Sequence, residues 1–77
     1  MEINIIVFGQ IVDFTGKPSW KISGVKNTDE LMNKLALQFP ELPSIIYSIA
    51  VNKNIIQNNT ELNQDDTVAL LPPYSGG

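Results

Sequence analysis

Residues 27–40 form the one long helical pattern in this sequence, and every other apolar run is short. Apolar side chains recur along one face of that helix at Leu31, Met32, Leu35, Ala36 and Phe39. Asn27 or Thr28 can cap its start; with Asn27 as the cap, Glu30 follows three residues later, and Pro40 stops the helix. A chain with one amphipathic helix must bury the apolar face of that helix against other elements, and those elements must be strands.

Short strand-like segments surround the helix. We predict strands at residues 2–8, 19–23, 48–52, 55–56 and 67–71, which are rich in β-branched residues or alternate in polarity. Residues 13–18 and 53–54 are predicted turns, and residues 41–47 an irregular connection. The order β-β-α-β-β-β predicts an α+β fold, in which one main helix packs on one face of a mixed sheet of about five strands.

The length and the ending of the chain predict a single domain followed by a tail. A chain of 77 residues has room for one modest core. Pro72 and Pro73 end the last strand because proline cannot donate to a strand ladder, and the final two glycines are hard to hold in one conformation. We therefore expect a domain at residues 1–71 and a flexible tail at residues 72–77.

The composition excludes several classes of function. The sequence has no Cys and no His, so it lacks a thiol nucleophile, the commonest general base and the commonest nitrogen ligand for metals. Its net charge of −3 disfavours nucleic acid and anionic membranes and suits a basic protein partner. The acidic cluster of Glu61, Asp65 and Asp66 is interpreted as a solvated loop, not as a metal site. We expect a cytoplasmic protein that binds no cofactor and is not catalytic alone.

Three large apolar residues, Phe8, Ile55 and Leu71, are candidates for a docking surface. If the first and last strands are neighbours, Val7 and Leu70 face the helix, so that Phe8 and Leu71 face the opposite side. Two interpretations remain open on pattern alone. The residues are either scattered surface hydrophobes, which are common, or a contiguous partner site beside the tail.

The ending PPYSGG also allows two interpretations. Termini fray, and composition alone favours a frayed end without a function. The order of residue types argues for a function, because Pro72 and Pro73 stiffen the exit from the sheet and the chain then narrows to glycine. Such a tail could thread a channel in another protein and present its terminal carboxylate there.

Three segments together resemble the small subunit of molybdopterin synthase. They are FGQIVDFTG near the start, AVNKNII in the middle and LLPPYSGG at the end. The resemblance covers essentially the whole chain and implies a ubiquitin-like β-grasp fold with a sulfur-carrier function. It implies three partners: an adenylating enzyme of the ubiquitin-activating type that uses ATP, a sulfur donor, and the large catalytic subunit of the synthase in a heterotetramer.

The resemblance also assigns functions to individual residues. Gly77 would be adenylated, converted to a thiocarboxylate, and would donate its sulfur to a cyclic pterin phosphate precursor in molybdenum cofactor biosynthesis. The rest of the tail would enter the channel of the large subunit, and the three apolar residues named above would dock on it. These tail residues are Pro72, Pro73, Tyr74, Ser75 and Gly76.

The sequence departs from the family pattern at two positions. Val12 precedes Asp13 where members often have a basic residue, and Tyr74 is bulkier than the usual small apolar residue. Three rival functions remain. A thiamine-type sulfur carrier shares the fold and the two glycines, a ubiquitin-like modifier shares the activation chemistry, and a β-grasp binding module could have an inert tail.

Overall fold

The computed structural model describes residues 1–46 and 48–72. The elements are β1 (Glu2–Val7), α1 (Ile11–Thr15), β2 (Ser19–Ser23), α2 (Thr28–Gln38), α3 (Leu42–Ile45), β3 (Ser48–Val51), β4 (Asn54–Ile56) and β5 (Thr67–Leu71). All five predicted strands are present, as is the main helix.

The strands form one mixed sheet in the order β2-β1-β5-β3-β4. β1 and β5 are parallel neighbours at the centre, and the other pairs are antiparallel. The first and last strands therefore lie side by side. This is the condition under which Phe8 and Leu71 were predicted to face away from the helix. This confirms the predicted α+β fold with a mixed five-stranded sheet.

Helix α2 covers one face of this sheet and supplies much of the core. Its Leu31 and Leu35 are fully buried against inward-facing strand residues. The fully buried strand residues are Ile3, Ile5, Val68 and Leu70. Burial of each such side chain contributes about 1.5–3 kcal/mol to folding. Within residues 1–46 and 48–72, none of the helices has the length and apolar character needed to span a membrane.

The start of α2 follows the predicted cap. The backbone N–H of Glu30 donates to Asn27 Oδ1 over 2.9 Å, so Asn27 satisfies one of the free amides of the first turn. The Glu30 carboxylate accepts from the N–H of Lys26 instead of the N–H of Asn27. In a capping box, the residue three positions after the cap accepts from the N–H of the cap itself, whereas here Glu30 accepts from the residue before the cap.

Three local predictions were wrong. Residues 11–15, placed partly in a turn, form α1, which ends at Gly16 in the left-handed region with φ 78°. Leu42–Ile45 within the predicted irregular connection forms a single helical turn. The tight turn after β3 contains Asn52 and Lys53 instead of residues 53–54, because both have positive φ and Asn54 already pairs with Val51.

Candidate docking face and tail exit

The face of the sheet opposite α2, called here the open face, carries the alternate residues of each strand. In β1 and β5 these are Glu2, Asn4, Ile6, Thr67, Ala69 and Leu71, whose neighbours along the chain point into the core. None of these six is fully buried. The helices leave this face uncovered, so its side chains are available to a partner.

A row of apolar residues crosses the open face. Ile6 in β1 is paired with Ala69 in β5, which is paired with Ala50 in β3, and Ala50 is paired with Ile55 in β4. Side chains in paired positions on one face lie close enough to pack. The row therefore spans four strands, with Ile6, Ala69 and Ile55 partly or largely exposed and Ala50 buried between its neighbours at 6% exposure.

Two of the three predicted docking residues lie beside this row. Val7 is paired with Leu70, so the next residues, Phe8 and Leu71, are adjacent at the end of the two central strands. Phe8 is 47% exposed and Leu71 is half-buried. Large apolar side chains on one uncovered face are the expected anchors of a protein interface.

Ile55, the third predicted docking residue, is 61% exposed and lies at the far end of the row. It does not neighbour Phe8 or Leu71, because β3 separates β4 from β5. Ile6, Ala50 and Ala69 lie between them, and none of the three was among the predicted docking residues. The alternation of Ile6 and Ala69 with buried neighbours was the available signal, whereas Ala50 is itself buried. We call Ile6, Phe8, Ala50, Ile55, Ala69 and Leu71 together the apolar strip.

A shallow depression of about 450 Å³ lies on the open face at one side of the strip. Its lining combines apolar, amide and cationic side chains. The residues are Ile6, Phe8, Asn52, Lys53, Thr67 and Ala69. Within residues 1–46 and 48–72, the lining thus offers apolar contacts and one ammonium group, but no carboxylate.

The tail leaves the domain next to Phe8. Pro72 follows the last residue of β5 and is half-buried, and it packs against Gly9, the residue after Phe8. A Cβ atom on Gly9 would lie 3.0 Å from Cγ of Pro72, and the φ of Gly9 is +59°. Close packing and a left-handed backbone both favour glycine at this position. The predicted tail residues Pro73, Tyr74, Ser75, Gly76 and Gly77 lie outside the described residues.

Asp66 organises the loop that precedes β5. Its carboxylate accepts from Nδ2 of Asn52 over 2.9 Å and from the backbone N–H of Asn63 over 2.8 Å. These hydrogen bonds, that of Asn52 first, lower the pKa of Asp66 below its ordinary value of 3.8. In this part of the acidic cluster, Asp66 holds the loop against the turn after β3.

The chain matches one protein family over nearly its whole length. The sequence pattern of the ThiS family matches residues 5–77. A molybdopterin synthase sulfur carrier subunit from Arabidopsis thaliana is 27% identical over 81 residues, which are 100% of this chain and 84% of that protein.

Solved structures agree with this family and with the fold. A chain in a complex of subunits 1 and 2 of molybdopterin-converting factor from Helicobacter pylori is 29% identical, with a TM-score of 0.78 and 100% of both chains covered. The small archaeal modifier protein 1 from Methanosarcina acetivorans has a TM-score of 0.83 at 24% identity, covering 99% of this chain and 96% of that one. The latter likeness is one of fold alone.

The family match, the relative from Arabidopsis and the ubiquitin-like β-grasp fold agree with the resemblance found in the sequence, and the chain belongs to the ThiS family of sulfur-carrier proteins.

Proposed function

We propose that this protein is the sulfur-carrier subunit of a molybdopterin synthase. Gly77 is the residue that carries the sulfur, and the large subunit of the synthase is the catalytic partner. The protein works in the cytoplasm and binds no cofactor of its own. In the assembled enzyme, one carrier lies at each end of a large-subunit dimer, which gives a heterotetramer.

The observation that carries this proposal is the position of the tail exit beside the apolar strip. Pro72 packs on Gly9, and Phe8 and Leu71 lie within one residue of these two positions. A partner that covers the strip is therefore placed to receive residues 73–77. The Helicobacter pylori relative, whose structure is a complex of subunits 1 and 2, supports a large subunit as that partner.

The chemistry requires activation of the Gly77 carboxylate. A carboxylate is a poor acyl donor, so an adenylating enzyme joins it to the AMP portion of ATP and releases pyrophosphate. Hydrosulfide from a sulfur donor then attacks the carbonyl carbon, AMP leaves with the electron pair of the acyl–oxygen bond, and loss of a proton gives the thiocarboxylate. The sulfur of this group is a strong, soft nucleophile toward the pterin precursor, and hydrolysis of the resulting acyl–sulfur bond returns the carboxylate. Two such transfers build the dithiolene.

The proposal gives each tail residue a defined function. Pro72 and Pro73 direct the chain away from β5, and Tyr74 and Ser75 line the channel of the large subunit. Gly76 keeps the backbone narrow next to the reactive carbonyl. Since the chain contains no His and no Cys, proton transfer and binding of the pterin belong to the partners.

Intact-mass spectrometry tests the activation step. We expect the chain, incubated with its adenylating enzyme, ATP and a sulfur source, to gain the mass difference between sulfur and oxygen at Gly77. A variant that lacks residues 76–77 is the matched control and should keep its mass. An unaltered mass of the full chain after this incubation would contradict the proposal.

A ubiquitin-like modifier is the second candidate, because this fold is also that of an archaeal modifier protein. A modifier shares the adenylation step but ends as an isopeptide bond between Gly77 and a lysine. Digestion of cellular proteins and a search for lysines that carry the C-terminal remnant of this chain distinguishes the two. Such remnants without a thiocarboxylate intermediate would favour the modifier.

A further inference from the structure

We propose that Lys53 is a partner-recognition residue whose ammonium group pairs with a carboxylate on the protein that docks on the open face. This inference rests on the proposed function, since it concerns the surface that receives the large subunit. The proposed ion pair makes binding depend on a charge of the partner, whereas contacts of the apolar strip alone would accept any partner with an apolar surface.

The backbone of Lys53 is the first observation. Asn52 and Lys53 connect β3 to β4, and their φ angles are 49° and 75°. Two-residue hairpin turns with positive φ at both positions strongly prefer Asn-Gly, because glycine adopts this conformation without a steric penalty. Asn52 fits the preference. Lysine at the second position introduces backbone strain that glycine would avoid, which indicates a function for its side chain.

Hydrogen bonds from the neighbouring strand hold the strained turn. Asn52 Oδ1 accepts from the N–H of Thr67 over 3.0 Å, and the N–H of Asn52 donates to the carbonyl oxygen of Thr67 over 2.8 Å. Asn52 Nδ2 donates to Asp66. The turn is thereby fixed to the start of β5, so Lys53 has a defined place beside the apolar strip.

The surroundings of Lys53 are the second observation. It lines the depression on the open face together with Ile6, Phe8 and Ala69. Among the residues that the structure describes, none that lines this depression carries a carboxylate. The carboxylate of Asp66 lies near the turn that contains Lys53, but its two oxygens accept hydrogen bonds from Asn52, the residue before Lys53, and from Asn63.

A second cation lies on the same face. Lys21 in β2 is paired with Asn4, and Asn4 is paired with Thr67 at the edge of the depression. The open face therefore carries two lysines in a chain whose net charge is −3, and one carboxylate, that of Glu2 at the start of β1, which does not line the depression. Charge complementarity requires carboxylates on the partner next to its apolar contacts. The net charge alone suggested a basic partner, and this proposal differs from that expectation at the open face.

Two substitutions of Lys53 separate charge from backbone strain. Lys53→Gly removes both, and Lys53→Gln removes the charge but keeps a long side chain at positive φ. We expect both variants to bind the large subunit about two- to fivefold more weakly at low salt, as for a solvent-exposed ion pair. The melting temperature should rise by about 4 °C for Lys53→Gly alone, because only that change relieves the strain.

Lys26→Ala is the charge-matched control, because Lys26 is exposed and lies in the loop before α2. This variant should bind like the unaltered chain. The loss of affinity for the large subunit in the two Lys53 variants should become smaller at high salt, since salt screens exposed ion pairs. Equal affinity of Lys53→Gln and the unaltered chain would overturn the inference while leaving the proposed function intact. Failure of the unaltered chain to bind the large subunit would overturn both.

Discussion

Gly9 lies where the first strand ends and the tail begins, and its missing side chain has a local consequence. Gly9 and Gly16 both have positive φ, but a Cβ on Gly9 would contact Pro72, whereas a Cβ on Gly16 would have no atom of the described residues within 4 Å. Alanine at either position would therefore adopt an unfavourable left-handed backbone, but only at Gly9 would its methyl group also crowd a neighbouring side chain.

The first prediction compares Gly9→Ala with Gly16→Ala. Each should lower the free energy of unfolding by about 1–2 kcal/mol for the left-handed alanine. Gly9→Ala should cost about 1 kcal/mol more, because Pro72 must move to make room. Urea unfolding measures both. Equal unfolding midpoints for the two variants would show that Pro72 does not pack on Gly9 as described.

The second prediction concerns Asp66 and pH. Because the pKa of Asp66 is lowered in the folded state, its carboxylate stabilises the fold above the ordinary value of 3.8. That contribution is lost as the pH falls through the lowered pKa. Asp66→Asn should therefore be less stable than the unaltered chain at pH 7, and the difference should narrow below pH 3.8. A stability difference that stays constant from neutral to acidic pH would contradict this assignment.

At the scale of elements, periodicity was sufficient for the strands and for α2 but not for the short helices. α1 has only five residues, too few for an apolar repeat, and turn-forming Asp13 and Gly16 obscured it. α3 is a single turn with Pro43 near its start, where proline is tolerated. The turn at Asn52 and Lys53 was misplaced by one residue because lysine is an unusual choice for positive φ.

The two faces of β1 give the third prediction, since Ile5 and Ile6 are the same residue type on opposite sides of the sheet. Ile5 is fully buried under α2, whereas Ile6 lies half-buried in the apolar strip. Ile5→Ala should cost about 2–5 kcal/mol of stability. Ile6→Ala should cost clearly less and should instead weaken binding to the large subunit.

Urea unfolding and titration calorimetry with the large subunit measure the two effects. If Ile6→Ala binds the large subunit as tightly as the unaltered chain, the apolar strip is not the docking surface. Ile55→Ala extends the same test to the far end of the strip, where the exposed side chain contributes little to the core.

At the scale of the whole molecule, the domain places Pro72, the first residue of the predicted tail, beside an apolar face. The sequence was enough to predict the fold and, on the condition that the first and last strands are neighbours, the outward direction of Phe8 and Leu71. It could not predict the continuity of the strip with Ile55, because that depends on the pairing of Ala50 with Ala69 across two strands. The assignments of Pro73 to Gly77 stay predictions from the sequence.

The most direct test of the sulfur-carrier function is a single-turnover reaction. The chain with a thiocarboxylate at Gly77 is mixed with the large subunit and the cyclic pterin phosphate precursor, and both product and carrier mass are followed. We predict that the carrier returns to the carboxylate mass as sulfur appears in the pterin product. Retention of the thiocarboxylate, or its loss without sulfur in the pterin, would contradict the account.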